Sequence, residues 1–163
     1  MTTKILEQGP QLFSILPDFR LPDCNWTPHE LGTLMGEHGL ILSFIGDIWH
    51  PASVRRVMWL QHHMPKFVAL GTPAAVIVRD EAKMLYGFKM SSPLPIPFQL
   101  LADTRGDVHE DYDMVGLTGL LLLDKRHVLR AKWIVPEDRV WVKLPELVTE
   151  IELLHKDKVY SLS

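Results

Sequence analysis

One cysteine, Cys24, stands in 163 residues, so no disulfide can form within the chain. Nothing in the composition suits an oxidising compartment, and the cytoplasm is the expected location. Basic residues are also scarce, with 17 Lys and Arg against 20 Asp and Glu and a net charge of -3. That balance argues against a dedicated nucleic-acid surface, which needs clustered cations. No apolar run reaches membrane-spanning length, and the opening "MTTKILEQGPQLF" has no apolar stretch beside a small-residue cleavage site. The expectation is a protein neither secreted nor membrane-embedded. Repeats, Ser/Gly linkers and low-complexity tracts are missing too, which leaves one domain over residues 1–163. At this length a chain buries roughly two-thirds of its unfolded surface around one core, so neither a structural metal nor a cofactor is called for.

What is present is patterned. "GLILSFI" (Gly39 to Ile45) is a continuous apolar run between glycines and reads as a strand covered on both faces. From Pro51, a favourable first helical residue, Val54, Val57, Met58 and Met64 keep one face while Arg55, Arg56 and His62 fall elsewhere. Pro65 is expected to kink or end this helix near His63, leaving "KFVAL" as a short apolar piece before Gly71, a plausible C′ residue. "AAVIV" then supplies a second buried strand, completing a strand–helix–strand unit.

Further on, "DEAKMLYGFKM" reads as a short helix and the proline-rich "SSPLPIP" as an extended connection. "FQLLAD" gives a brief strand, "TRGDVHEDYDM" a turn and short helix, and "GLLLLD" with "VLRAKWI" a hairpin. Leu144, Leu147, Val148, Ile151 and Leu154 define a last helix after Pro145, with His155, Lys156 and Lys158 near its end. Upstream, "FRLPDCNWTPHEL" is a hairpin or turn-rich segment. The whole is an α/β fold with a central mixed sheet, helices on both faces and an N-terminal hairpin.

Chemistry is sparse along this framework. His50 and Ser53 lie three apart at a helix start, and with Asp47 they sketch a hydrolase relay whose oxyanion site would be helix amides. The plainer reading is that His50 caps the helix and Ser53 bonds a free N–H of its first turn, since no Gly-x-Ser-x-Gly turn is present. Asp47, His50, His62, His63 and His109 show no His-Glu-x-x-His spacing, so no metal site is expected. "DVHEDYD" lacks the ligand spacing of a calcium loop and reads as a solvated helix face. Arg55 and Arg56 near a helix start would suit a small anion but read as plain surface. Trp133 and Trp141 are assigned to packing.

Several phrases in order resemble the peroxiredoxin group, the alkyl hydroperoxide reductase and thiol-specific antioxidant branch of the thioredoxin fold. "LPDFRLPD" is similar to the opening "PDF-x-LPD", and "LILSFIGDIWHP" to the central strand with its active-site loop. "AAVIVRDEA" resembles the next strand, "FQLLADTRGDVHEDYDM" resembles "FPLLSD-x-x-G-x-x-A-x-x-YG", and "LLLLDKRHVLRA" resembles "F-x-ID-x-x-G-x-I-R". The likeness runs from about Pro17 to Leu154 and implies a thioredoxin-like fold. It also implies a Pro-x-x-x-Thr-x-x-Cys loop whose thiolate attacks peroxide, aided by an arginine.

On this chain those positions are Gly46 for the proline, His50 for the threonine, Ser53 for the cysteine and Thr118 for the arginine, with Pro51 between them. A serine hydroxyl stays protonated and has no counterpart to reversible sulfenic acid. The resemblance therefore implies a degenerate peroxidatic site. The expected function is binding, as a homodimer or with a protein or small-molecule ligand at the former active-site loop. Two alternatives remain, a thiol peroxidase using Cys24 and a hydrolase at His50 and Ser53.

Overall fold

The computed structural model describes residues 8–136 and 141–161, with side chains in the last helix through Lys156. Strands β1 (Arg20–Pro22) and β2 (Pro28–Glu30) pair antiparallel as the expected N-terminal hairpin. A one-turn helix, α1 (Leu31–Leu34), follows directly and was not foreseen from the sequence. Then come β3 (Gly39–Ile45), α2 (Pro51–Ala69), β4 (Ala74–Val78), α3 (Ala82–Ser91) and β5 (Gln99–Ala102). The chain continues through α4 (Asp107–Asp111), β6 (Gly119–Asp124), β7 (Leu129–Ile134) and α5 (Leu144–Ser161).

Five strands form one sheet in the order β5-β4-β3-β6-β7, parallel across β5-β4-β3 and antiparallel across β3-β6-β7. β3 is central because all seven of its residues are buried, as a strand covered on both faces must be. Alternation along the strands separates two cores. Ile41, Ile45, Val76, Val78, Leu120 and Leu122 face α2, α3 and α5. Leu40, Leu42, Phe44, Ile77, Leu121 and Leu123 face the opposite layer, which includes Leu31 of α1 and Val108 of α4. A mixed sheet with helices on both faces follows, as the order of patterns predicted.

Helix α2 departs from expectation twice. It runs unbroken through Pro65, which is exposed and lies inside the last two turns. Tertiary packing overrides the local preference, because Met64 and Phe67 on either side of the proline are buried against the sheet. The helix ends instead in a Schellman motif, in which the Thr72 N–H donates to Phe67 and the Gly71 N–H to Val68, with Gly71 at φ +68°. The buried face agrees with expectation at Val57 and Met64 but departs from it at Arg56 and Met58. Ser53, Arg56, Val57, Leu60, Met64 and Phe67 point inward, whereas Met58 is 59% exposed.

Arg56 is thus a core residue rather than plain surface. Its guanidinium donates to the Pro136 carbonyl at 2.9 Å and lies over the Trp141 ring at 5.6 Å, while the Trp141 N–H donates to the Arg56 carbonyl. The region read as a solvated face, Asp107 to Asp113, likewise turns Val108, His109 and Tyr112 inward. In α5, Leu147, Ile151 and Leu154 are buried as predicted, but the helix continues past His155. His155 accordingly serves the core edge, with Nε2 3.1 Å from the Leu70 carbonyl and its ring tilted at 32° against that of His38, centroids 3.9 Å apart. Lys158 lies outside the side chains described. Among the described residues, no helix is long and apolar enough to cross a membrane.

Candidate functional site

Two places at the carboxyl edge of the parallel strands concern chemistry, and they differ in character. The first is the start of α2. His50 is its N-cap, extended at φ -63° and ψ 135°, and its Nδ1 accepts the Ala52 N–H at 3.1 Å. Pro51 occupies the first helical position, where a missing N–H costs nothing. Asp47 turns back on the backbone, accepting the Trp49 N–H at 2.8 Å. The His50 N–H donates to the Asp47 carbonyl at 3.2 Å, but among the described residues no side-chain hydrogen bond joins Asp47, His50 and Ser53, so the hydrolase relay is not assembled.

Ser53 itself is 3% exposed, in the first turn of α2. The expected bond from its hydroxyl to a free N–H is not formed among the described residues. Ile48, just before the helix, is fully buried, and Trp49 packs edge-on against Phe88 with centroids 5.3 Å apart. Beside them a largely apolar hollow of about 230 Å³ is lined by Trp49, Val54, Met58, Phe88 and Leu94. The lone thiol, Cys24, is 4% exposed in the loop between β1 and β2 and packs with the core beneath α2.

The second place is a cleft of about 450 Å³ beyond the ends of β3, β4 and β5. Gly46 and Thr118 both line it, so the structure brings together two of the singled-out positions and leaves His50, Pro51 and Ser53 on the helix. Its other walls include Arg79, Arg105, His109 and Glu110. Arg79 follows β4, donates to the Thr104 carbonyl and lies flat over Gly106. A Cβ on Gly106 would stand 2.6 Å from Arg79 Nε, at the far end of a flexible side chain, so it is the φ of +80° that favours glycine there.

Beneath the cleft sits a pair that sequence reading missed. The Asp103 carboxylate takes the Val108 N–H at 3.2 Å, the His109 N–H at 2.8 Å and His109 Nδ1 at 2.7 Å. Burial by itself would raise this acid's pKa, but the bonds from the His109 ring and from the two N–H groups outweigh it and hold the carboxyl below its ordinary value. His109 is 4% exposed, with the edge of Phe44 against its ring at 5.1 Å. Asp103 and His109 are six residues apart, a spacing with no helical or strand meaning. Only the left-handed turn at Gly106 folds one back onto the other, so no periodicity could have found them.

Other histidines do less. His62 and His63 lie ring to ring on α2, and burial, then the neighbouring His62 charge, lowers the His63 pKa. His29 bonds Asp23 at 2.9 Å within the hairpin. Among the described residues no three His, Cys, Asp or Glu side chains gather as a metal would need.

A five-stranded mixed sheet, a helix launched from its central strand and an N-terminal hairpin define a thioredoxin-like protein of the peroxiredoxin type. A model of the AhpC/TSA family matches residues 14–140, and the chain belongs to that family. Its only cysteine lies outside the start of α2, which fits a missing peroxidatic cysteine. No curated protein sequence matches the chain. Solved structures resemble it in fold. The reduced 2-Cys peroxiredoxin of Plasmodium vivax is 14% identical with a TM-score of 0.79, over 92% of this chain and 84% of that one. The yeast mitochondrial 1-Cys peroxiredoxin is 17% identical at 0.77, over 91% and 78%. Peroxidoxin BcpB from Mycobacterium tuberculosis is 15% identical at 0.73, over 90% and 97%.

Proposed function

We infer that this chain is an AhpC/TSA protein whose peroxidatic site has degenerated and which acts by binding. The observation that carries the reading is Ser53, buried in the first turn of α2 at the position the family's thiol would take. An alcohol there is not ionised near neutral pH and cannot cycle through a sulfenic acid. The companion changes, Gly46, His50 and Thr118, remove the rest of the loop's chemistry together. Cys24, buried in the hairpin loop, offers no replacement nucleophile at that helix start. In this reading one domain over residues 1–163 works in the cytoplasm as a homodimer or a partner-recognition module, through the former active-site loop.

Peroxide consumption with a dithiol reductant tests it. Wild type and Cys24→Ser should both match the protein-free rate. Thiol-dependent turnover in wild type that vanishes in Cys24→Ser would overturn the binding reading in favour of a peroxidase. Covalent labelling of Ser53 by a reactive phosphonate would overturn it in favour of a hydrolase.

A further inference from the structure

The cleft beyond β3, β4 and β5 gathers Arg79, Arg105 and His109 around one cavity. Open α/β sheets hold ligands at this edge, because the loops leaving the strand ends part and leave a crevice. His109 is the telling residue. It is nine-tenths buried, its Nδ1 is held by Asp103, and its Nε2 has no hydrogen-bond partner among the described residues. With the ring clamped by Asp103 and Phe44, Nε2 is the polar atom left for whatever enters.

The arginines keep donors in reserve. Arg79 uses one N–H on the Thr104 carbonyl, and a guanidinium carries five. Arg105 meets Asp107 only loosely, with Nε 3.6 Å from the carboxylate and both side chains exposed. Such a pair is weak in water and yields readily to a better-shaped partner. Thr118 adds a hydroxyl at the same wall, and Gly46 leaves room for close approach. Glu110 offsets one cation at the rim, so the cleft is no general polyanion surface.

We propose that this cleft binds a small oxyanion, a carboxylate or phosphate group, between the Arg79 and Arg105 guanidinium groups, beside His109 Nε2, whose ring is held through Nδ1 by Asp103. Planar guanidinium forks match both groups, and charge-assisted bonds in a partly enclosed cleft are stronger than neutral ones. The proposal rests on the binding reading above and deepens it, placing the ligand beside the retired thiol position rather than at Ser53.

Two-dimensional NMR of the full chain in low-salt buffer, titrated separately with inorganic phosphate and with acetate, tests it. Saturable shifts centred on Gly106, Gly116 and the His109 ring are expected, with a Kd of about 1 mM for the preferred anion. Preference for phosphate points to a phosphate ester as the natural ligand and preference for acetate to a carboxylate. Arg79→Gln with Arg105→Gln should weaken binding at least about tenfold, while Lys83→Gln on exposed α3 surface should leave it unchanged. Both arginines are exposed, so folding is retained, and His109→Gln provides a second arm inside the cleft. No saturable shift with either anion, shifts that survive the double substitution, or shifts confined to the start of α2 would each overturn the site. The outcomes separate cleanly from the peroxide assay. Absent anion binding without turnover removes this site alone, and turnover through Cys24 with anion binding intact removes only the binding reading.

Discussion

Asp103 accepts three hydrogen bonds while nearly sealed from water, and its carboxyl is more acidic in the folded protein than in the unfolded chain. A depressed folded-state pKa contributes stability that is fully present above the unfolded value of 3.8 and is lost as pH falls through the folded one. Asp103→Asn should therefore cost about 1–3 kcal/mol at neutral pH, where charge-assisted bonds to the ring and backbone are weakened. The gap between variant and wild type should narrow below about pH 4. Urea denaturation at several pH values measures both, and a gap that stays constant into acid would show that the carboxylate's charge is irrelevant. The residues of this pair were invisible in the sequence for a simple reason. His109 stands in a charged run, Asp107 to Asp113, whose polar composition suggested solvent, and nothing local reveals that it turns inward.

At the scale of elements, α2 carries the main tension in the chain. Pro65 cannot donate to the Gln61 carbonyl, and its ring crowds the preceding turn, yet the helix persists because Leu60, Met64 and Phe67 are buried on the sheet. Replacing the proline restores one hydrogen bond and removes that crowding, while loosening the unfolded chain slightly. Pro65→Ala should raise stability by about 1 kcal/mol, or about 2–4 °C in Tm. A lowered Tm would mean the proline fits the helix without strain. Here sequence reading misplaced the helix end because a local breaker was weighed without knowledge of the packing around it. The misplaced Met58 and Arg56 of α2 have the same origin, since what packs against each was not visible locally. Met58 faces water, and Arg56 finds a carbonyl and an indole inside.

For the whole molecule, the surface beside α2 carries the homodimer expectation. Trp49 is 44%, Met58 59%, Met90 60% and Leu94 64% exposed, and three of these line the apolar hollow near the helix start. Large apolar side chains gathered in this way mark an interaction surface more often than scattered ones do. If a second copy covers it, sedimentation velocity should find a dimer at about micromolar concentration, and Met58→Asp should shift it to monomer by about tenfold or more in Kd. A wild-type monomer across that range, or a dimer indifferent to the substitution, would place the interface elsewhere.

Strand runs such as Gly39 to Ile45, the strand–helix–strand order, Gly71 as the C′ residue of α2 and the presence of a serine at position 53 were all readable from the chain alone. Each depends on local periodicity, glycine stereochemistry or the identity of one atom, and these do not wait on folding. The depth of Arg56, the survival of α2 through Pro65, the pairing of Asp103 with His109 and the meeting of His109, Arg79 and Arg105 at one cleft were decided only in three dimensions. They depend on which segments meet at the edge of the parallel strands, and a contact between distant residues leaves no spacing in the sequence to betray it.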